Sequence, residues 1–399
     1  MKRYKIGVIG AGARGETFAR QLYAGTPQAE LYGVCDIDAD RLAKFCDYCE
    51  LKGAYTSTDY HAFVNEPGLD AVIITTPEFT HKDVAVAAMK AGKPVYLEKP
   101  VAHTYEDCLE ILDVSRSTGK VAYVGFNLRA NLAYETMHQI VASGKLGTLI
   151  SASGLEGLTY SHGASFMRRF HRHSSQSGGL LNHKCSHDID IMLWVLGHPR
   201  IKRISSFGGT QIFTPDKQPA SHCGVCPIAH TCPYVARPGF VFPVTGGQTI
   251  YHQDTTTYGG DLCVYSPDKD LVDHQLVIME MENGIKASFQ LQMFTHRARR
   301  ELTIRGELGL LEYHSGRTPI LQFTDMHGDV TSYDFAKREG GHGGTDPLMI
   351  RRFCEAIDKG SAGQSGLEAG LEAAIVAFMA DKSRLAGQTL DIPADMYRW

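Results

Sequence analysis

Lys5-Ile6-Gly7-Val8-Ile9-Gly10-Ala11-Gly12-Ala13-Arg14-Gly15 is an apolar run that breaks into glycines, and its reading decides the fold. Lys5–Ile9 has the composition of a strand buried on both faces, and Glu16–Ala24 carries a helical pattern after the turn. Gly10, Gly12 and Gly15 therefore stand at the G-x-G-x-x-G spacing in a strand–turn–helix context, which gives a short motif its weight. Gly10 permits the tight turn, Gly12 lets backbone amides approach a pyrophosphate, and Gly15 lets helix and strand pack closely, with phosphate charge on the helix N-terminus. The implied ligand is a dinucleotide.

Leu31–Asp36 reads as the second strand, and Asp36 lies about twenty residues past the last glycine, where an acidic side chain meets the adenosine ribose. A carboxylate there repels a 2′-phosphate, so NAD is expected over NADP. The alternation continues with helices over 41–49, 60–65, 81–91 and 105–118 and strands near 53–55, 71–76, 94–97 and 121–125. A doubly wound parallel sheet follows from that rhythm. Its carboxyl edge, where such sheets bind ligands, receives Thr76-Pro77, Glu98-Lys99-Pro100 and Phe126-Asn127-Leu128-Arg129.

The chain has 399 residues, 43% of them hydrophobic, so it can bury two cores. Forty basic against forty-four acidic residues leave a net charge of −4, which gives no whole-chain drive toward nucleic acid or an anionic membrane. No apolar run reaches membrane-spanning length, and Met1-Lys2-Arg3 leads into a strand rather than a signal peptide. A cytoplasmic protein with no nucleic-acid or membrane partner is expected, its ten cysteines kept as thiols or metal ligands.

The glycine turn, the acid ending the second strand and Glu98-Lys99-Pro100 together resemble the Gfo/Idh/MocA oxidoreductases, sugar and polyol dehydrogenases that use a nicotinamide. The resemblance continues through Gly125–Arg129, Gly178-Gly179, His187-Asp188-Ile189-Asp190 and Gly341–Asp346. It implies α/β architecture: a Rossmann domain over 1–125 and an α+β substrate and oligomerisation domain over 126–399 with a large, mostly antiparallel open sheet. Alternating stretches at 276–282, 285–293, 301–305 and 309–313 agree, as does a terminal helix over 366–386. An open sheet face must be covered, so a homo-oligomer, dimer or tetramer, is expected. By resemblance the cofactor site comprises Gly10, Gly12, Ala13, Arg14, Asp36, Thr76, Pro77, His81, Glu98 and Lys99.

The family's Glu-Lys-Pro lysine lies beside the nicotinamide and substrate, which carries over to Lys99. Oxidising a secondary alcohol needs a base with a pKa near the working pH, and burial beside a cationic ring would make a neutral lysine accessible. The family uses the histidine at His187 in acid/base work. Where its pattern has an aspartate four residues earlier, this chain has His183 followed by Lys184, which resembles a His-Lys-x-x-His subgroup. His183 and His187 read as catalytic substrate contacts; at i and i+4 they could instead bind a metal or be structural. Asn127, Arg129, Lys184 and His342 join them as candidate contacts to a carbohydrate. Arg168 and Arg172 in the run 166–173, with a second basic run at 296–300, suit an anionic substituent or, alternatively, a solvated or subunit-facing surface.

Cys223, Cys226 and Cys232 crowd a Gly/Pro-rich insertion over about 215–265, and Cys263 is the nearest further thiol. A closed structural zinc site is the economical reading, with an iron–sulfur cluster or a disulfide as alternatives. Asp346 reads as the cap of a helix starting near Pro347. The functional expectation is hydride transfer to NAD from a sugar or glycoside, at carbon 3 of a pyranoside. This is either a simple sugar or polyol dehydrogenation or the transient oxidation inside a redox-neutral glycosidase on an acidic or sulfonated sugar. A non-catalytic NAD-binding sensor is the reading from another class.

Overall fold

The computed structural model describes residues 2–236, 260–316, 318–335 and 345–399. They divide into two compact units: residues 2–130 with 345–371, and residues 131–236 with 260–335 and 372–399.

The first unit opens with β1 (Tyr4–Ile9), α1 (Ala13–Ala24), β2 (Ala29–Cys35), α2 (Ala39–Tyr48), β3 (Tyr55–Ser57), α3 (Tyr60–Val64), β4 (Ala71–Ile74), α4 (His81–Lys90), β5 (Val95–Leu97), α5 (Tyr105–Thr118) and β6 (Ala122–Val124). The strands form one parallel sheet in the order β3-β2-β1-β4-β5-β6. The order reverses between β1 and β4, so the loops after these two strands flank the crevice where dinucleotides bind in such sheets. Strand residues Ile6, Val8, Val72 and Ile73 are fully buried because helices cover both faces. Side-chain caps from Asp38, Asp59 and Thr104 start α2, α3 and α5, each satisfying an otherwise unpaired first-turn amide. The helix expected from Glu16 begins three residues earlier, at Ala13, with Gly12 as its N-cap.

The second unit contains α6 (Leu132–Ala142), β7 (Leu149–Thr159), α7 (Tyr160–Phe166), α8 (Ser174–Ser177), α9 (Gly179–His183), α10 (Ser186–Val195), β8 (Ile201–Gly209), β9 (His274–Met281), β10 (Lys286–Thr295), β11 (Arg299–Gly306), β12 (Gly309–His314), β13 (Ile320–Asp325) and β14 (Val330–Tyr333). Its nine-stranded sheet runs β14-β13-β12-β11-β7-β10-β9-β8-β15, antiparallel except for the central β7–β10 pair, with β15 at Leu390–Asp391. Strict alternation along β10, with Ala287, Phe289, Leu291 and Met293 buried, fixes which face is the core.

Between β14 and β15 lie α11 (Asp346–Lys359) and α12 (Leu367–Ala386). The sequence gives a two-piece division at 125/126; instead, residues 345–371 belong to the first unit. The reason is the apolar stripe Met349, Ile350 and Phe353 of α11, which is buried in the same core cluster as Phe18, Val34, Tyr96 and Tyr123. Phe353 meets the Tyr96 ring edge-on at 5.8 Å.

Candidate active site

The glycine loop shows what each glycine is for. Gly10 has φ +107°, and a Cβ on it would lie 2.7 Å from the Thr76 amide nitrogen; a Cβ on Gly15 would lie 2.0 Å from the Gly10 carbonyl oxygen. Both are glycines because the protein itself leaves no room. Gly12 differs: its Cβ would meet nothing nearer than the Thr75 carbonyl at 3.9 Å, and its extended backbone caps α1 without any side-chain bond to the first-turn amides. Open space above uncapped helix amides is the imprint of an anionic ligand. Across the crevice the Thr76 hydroxyl oxygen is buried without a protein partner. Asp36, at the end of β2, accepts the Ala11 amide at 2.9 Å and the Asp38 amide at 3.0 Å, which fixes its carboxylate beside the loop. These features fit a dinucleotide, with Gly12, Ala13, Thr76, Pro77 and Asp36 positioned to hold it.

Arg14, His81 and Glu98 bond within the protein through their side chains. Arg14 donates to Glu98 Oε1 from Nε at 2.9 Å and from Nη2 at 2.7 Å, and pairs with Asp346 at 3.2 Å. Burial opposes its charge, but Glu98 and Asp346 more than reverse that, so its pKa stands above the usual arginine value. Asp346 is accordingly the first residue of α11 rather than its cap, which is Thr345. The second Glu98 oxygen accepts the Lys99 amide at 3.3 Å. His81 is fully enclosed: Nδ1 faces the Pro100 carbonyl and Nε2 the Thr76 carbonyl, each at 2.9 Å. Both ring nitrogens thus meet backbone, and the imidazole ties the loop after β4 to the one after β5. Burial lowers its pKa, against a smaller opposing effect of Glu78. The outcome of these bonds is Lys99, half-buried, on a loop held from three sides; the Lys99–Pro100 peptide is cis. Nearby in the same unit, Asn127 is buried with its side-chain oxygen unpartnered. Arg129, by contrast, donates to the Gln364 carbonyl at 2.5 Å and lies over the Phe126 ring, so this guanidinium expected at a substrate secures the backbone near α12.

In the second unit the helix expected to carry both histidines is interrupted. α9 ends at His183 and α10 begins at Ser186, with a turn at Lys184-Cys185, so His183 and His187 are not neighbours on one continuous helical face. The i, i+4 argument for a shared metal therefore loses its premise. His183 instead stacks near His171, ring centroids 3.9 Å apart, and both rings lie against Phe166. His162 also stacks on Phe166, ring centroids 5.0 Å apart, and burial, aided by Lys184 and Arg169, pushes its pKa down to about 3. Beneath α9 and α10 lies a charge cluster. Lys184 pairs with Glu156 at 2.9 Å, and Arg300 bridges Glu156 at 3.0 Å and Asp188 at 2.6 Å. Burial, reinforced by Glu156 and opposed by Arg300 and Lys184, pushes the Asp188 carboxyl up to about 6. Lys184 is thus an internal ion-pair partner, as is Arg300 of the second basic run. Glu156 was not singled out from sequence; its one signal is a carboxylate in a strand whose neighbours are small or apolar.

The first basic run is equally committed. Arg168 donates from Nε to the Leu262 carbonyl at 2.8 Å and from Nη2 to the Tyr234 carbonyl, and Arg172 pairs with Asp268 at 2.7 Å. Arg168 thus joins residues 234 and 262 of the insertion, and Arg172 holds Asp268 just beyond it. Cys223, Cys226, Cys232 and Cys263 line one small cavity with Arg168, and all four are free thiols. His342 lies outside the described residues.

Comparison with known proteins agrees with this construction. Residues 4–126 match the profile described as "Oxidoreductase family, NAD-binding Rossmann fold", and residues 134–312 match the GFO/IDH/MocA C-terminal domain. Inositol 2-dehydrogenase 2 of Saccharopolyspora erythraea is 26% identical over 342 residues, covering 84% of this chain and 80% of the relative. Among solved structures, levoglucosan dehydrogenase in its apo form superposes with TM-score 0.77 at 19% identity, covering 98% of this chain and 99% of that one. Myo-inositol 2-dehydrogenase from Lactobacillus plantarum gives TM-score 0.71 at 20% identity, covering 98% and 100%. With both domain profiles matched in order along most of its length, the chain belongs to the Gfo/Idh/MocA family of NAD-binding oxidoreductases.

Proposed function

We propose that the protein is an NAD-dependent dehydrogenase of a neutral sugar or cyclic polyol. The observation that carries this reading is Lys99, held on the sheet's carboxyl edge by Glu98 and the His81-tied loops, in the unit that bears the Gly12 opening and the unpartnered Thr76 hydroxyl. NAD supplies the hydride acceptor. Lys99 takes the proton of the reacting hydroxyl through Nζ, and Asn127 Oδ1 accepts a hydrogen bond from a neighbouring hydroxyl. Inositol and levoglucosan dehydrogenases among the similar proteins support a polyhydroxylated ring as substrate. Arg168, Arg172 and Arg300 bond within the protein, which favours a neutral ring over an acidic or sulfonated one.

A second reading rests on the gathering of His162, His171 and His183 around Phe166. Oxidation at carbon 3 of a pyranoside acidifies the neighbouring C–H, and additional imidazoles would serve elimination and water addition in a redox-neutral glycosidase. One mixing experiment separates the two: inositols, hexoses and aryl glycosides are each incubated with NAD while NADH and aglycone are followed together. Stoichiometric NADH with intact glycosides establishes the dehydrogenase. Aglycone release without net NADH establishes the glycosidase, and NAD binding with neither product points to a sensor.

The remaining partner is a second copy of the chain. Phe207 and Ile278, 65% and 47% exposed, share with Ile320 and Val330 the outward face of the nine-stranded sheet. Light scattering on the purified protein is expected to show a dimer or tetramer. Among the described residues no helix is long and apolar enough to cross a membrane.

A further inference from the structure

We infer that the long connection between β8 and β9 sets how tightly the second unit holds its sugar, by bracing the segment that carries His171, with Arg172, Asp268 and Asp270 as the positioning residues. The inference rests on the sugar-oxidising reading and on His183 as a contact to that sugar. β8 and β9 pair antiparallel from Ile201 opposite Met281 to Gly209 opposite His274, so a hairpin of a few residues would be enough to join them. Residues 210–273 stand there instead, and a connection of that length calls for a task.

The root of the connection is fixed. The buried Asp273 carboxylate accepts the amides of Gln211, Ile212 and Phe213 at 3.0, 2.7 and 3.1 Å, while the Asp273 amide donates to the Gly209 carbonyl at 2.9 Å. Just past this root Phe213 is buried against Tyr234, ring centroids 5.0 Å apart, and against Phe294 of β10 at 5.3 Å. The connection therefore has an aromatic core of its own, seated on the sheet.

From that base it reaches residues 168–174. Between α7 and α8 the chain has a single short helical turn, Phe170–Arg172, so bonds from outside fix its course. Arg168 holds the Leu262 and Tyr234 carbonyls. Arg172 donates from Nε to the Asp268 carbonyl at 2.9 Å and from Nη2 to its carboxylate at 2.7 Å, while Nη1 turns back to the carbonyls of Arg168 and Arg169 at 3.3 and 3.2 Å. The Asp270 amide donates to the Arg172 carbonyl at 3.1 Å, and the Asp270 carboxylate accepts the Ser174 amide at 2.7 Å and the Ser174 hydroxyl at 2.5 Å. What the braced turn presents is His171, its ring centroid 3.8 Å from that of Phe170 and 3.9 Å from that of His183. A side chain that meets a ligand in one orientation is only as well placed as the groups behind it, and a shift of about an ångström is enough to lose the contact. Loosening the brace should weaken sugar binding and leave the proton transfer at Lys99, in the other unit, as it was. Asp268 and Asp270 are both exposed, so their bonds can be cut without opening a core.

The test combines kinetics with chemical labelling of the full-length chain. KM and kcat are measured with the sugar that the unaltered protein oxidises best, and the rate at which diethyl pyrocarbonate modifies His183 is followed by tandem mass spectrometry. The double variant Asp268→Ala/Asp270→Ala is expected to raise KM roughly tenfold with kcat and melting temperature nearly unchanged, and to speed His183 labelling several-fold. Asp268→Asn/Asp270→Asn, which keeps an acceptor facing Arg172 and Ser174, should restore most of both. Asp216→Ala, whose carboxylate is engaged locally with Thr214, should match the unaltered chain. An unchanged KM in the alanine pair, while His183→Ala raises it, overturns the brace alone. If His183→Ala also leaves KM unchanged, the reading of His183 falls and the inference with it. The labelling needs no turnover, so a chain that oxidises no sugar fails the dehydrogenase reading, and unaltered labelling in the alanine pair still overturns the brace.

Discussion

The edge of the parallel sheet and the charged underside of α9–α10 make opposite use of polar groups. Along the sheet edge Arg14, Glu98 and Asp346 pair with one another, yet the protein leaves things unfinished: Gly12 has empty space above it, the α1 amides have no cap, and Thr76 keeps a buried hydroxyl unpartnered. Under α9 and α10 the charges are dense and paired with one another, Lys184 to Glu156 and Arg300 to both carboxylates, while one oxygen each of Glu156 and Asp188 accepts no hydrogen bond. Open space above uncapped helix amides points to an anionic ligand more specifically than charge density or a single unpartnered oxygen does.

The largest effect is expected at Lys99. Lys99→Met should lower turnover roughly a hundred- to ten-thousand-fold while NAD affinity, read by fluorescence titration, stays within a small factor. Turnover that survives the substitution removes Lys99 as the base. Arg300→Met should leave Asp188 uncompensated, and Glu156 with Lys184 alone, and destabilise the protein by about 3–5 kcal/mol, measured by urea unfolding. A loss near zero would mean that the cluster is solvated and open to a ligand after all.

Within the glycine loop the two kinds of glycine should part company. Gly15→Ala forces a Cβ against the Gly10 carbonyl and should cost about 1–3 kcal/mol of stability, with NAD binding lost as a consequence. Gly12→Ala should leave the melting temperature nearly unchanged and weaken NAD binding by about tenfold or more. Equal stability losses for the two would erase the distinction drawn from their surroundings.

The smallest effect is a pH slope. Asp188, with its folded pKa raised to about 6, holds a proton more tightly folded than unfolded. Its contribution is fully present below the unfolded carboxyl value of about 4 and is lost as pH climbs through the folded value. His162, lowered to about 3, acts in the opposite sense: its stabilisation is present above the ordinary histidine value and is lost as pH falls toward 3. Asp188→Asn should therefore make urea stability rise more steeply between roughly pH 4 and 6 than in the unaltered chain. An unchanged profile would show that Arg300 keeps Asp188 ionised throughout.

Much of this was legible in the sequence. Glycine spacing, the strand–helix rhythm and Asp36 act within thirty-odd residues of one another, so local pattern carries them. The element boundaries moved by a few residues because caps such as Gly12 and Thr345 set them. What could not be read is long-range pairing. Arg14 meets Glu98 and Asp346, and Arg168 meets Leu262 and Tyr234, only after the chain has folded. Each therefore looked like an unclaimed donor. His81 misled for the same reason, since a lone histidine before a helix gives no sign that two carbonyls will claim its ring. Alternation revealed the second sheet, while the break at Lys184-Cys185 has no glycine or proline to announce it.

The burial of α11 among Phe18, Val34 and Tyr96 has a consequence for how the chain is made. At a synthesis rate of about 5–20 residues per second, the more than two hundred residues separating β6 from α11 take the ribosome roughly ten to forty seconds to produce. Through that interval the nascent nucleotide-binding sheet waits with the socket for Phe353 exposed. A gene fragment ending at residue 130 would stop the protein permanently at that stage, and its failure to stay soluble when expressed alone would be a defect of timing made permanent.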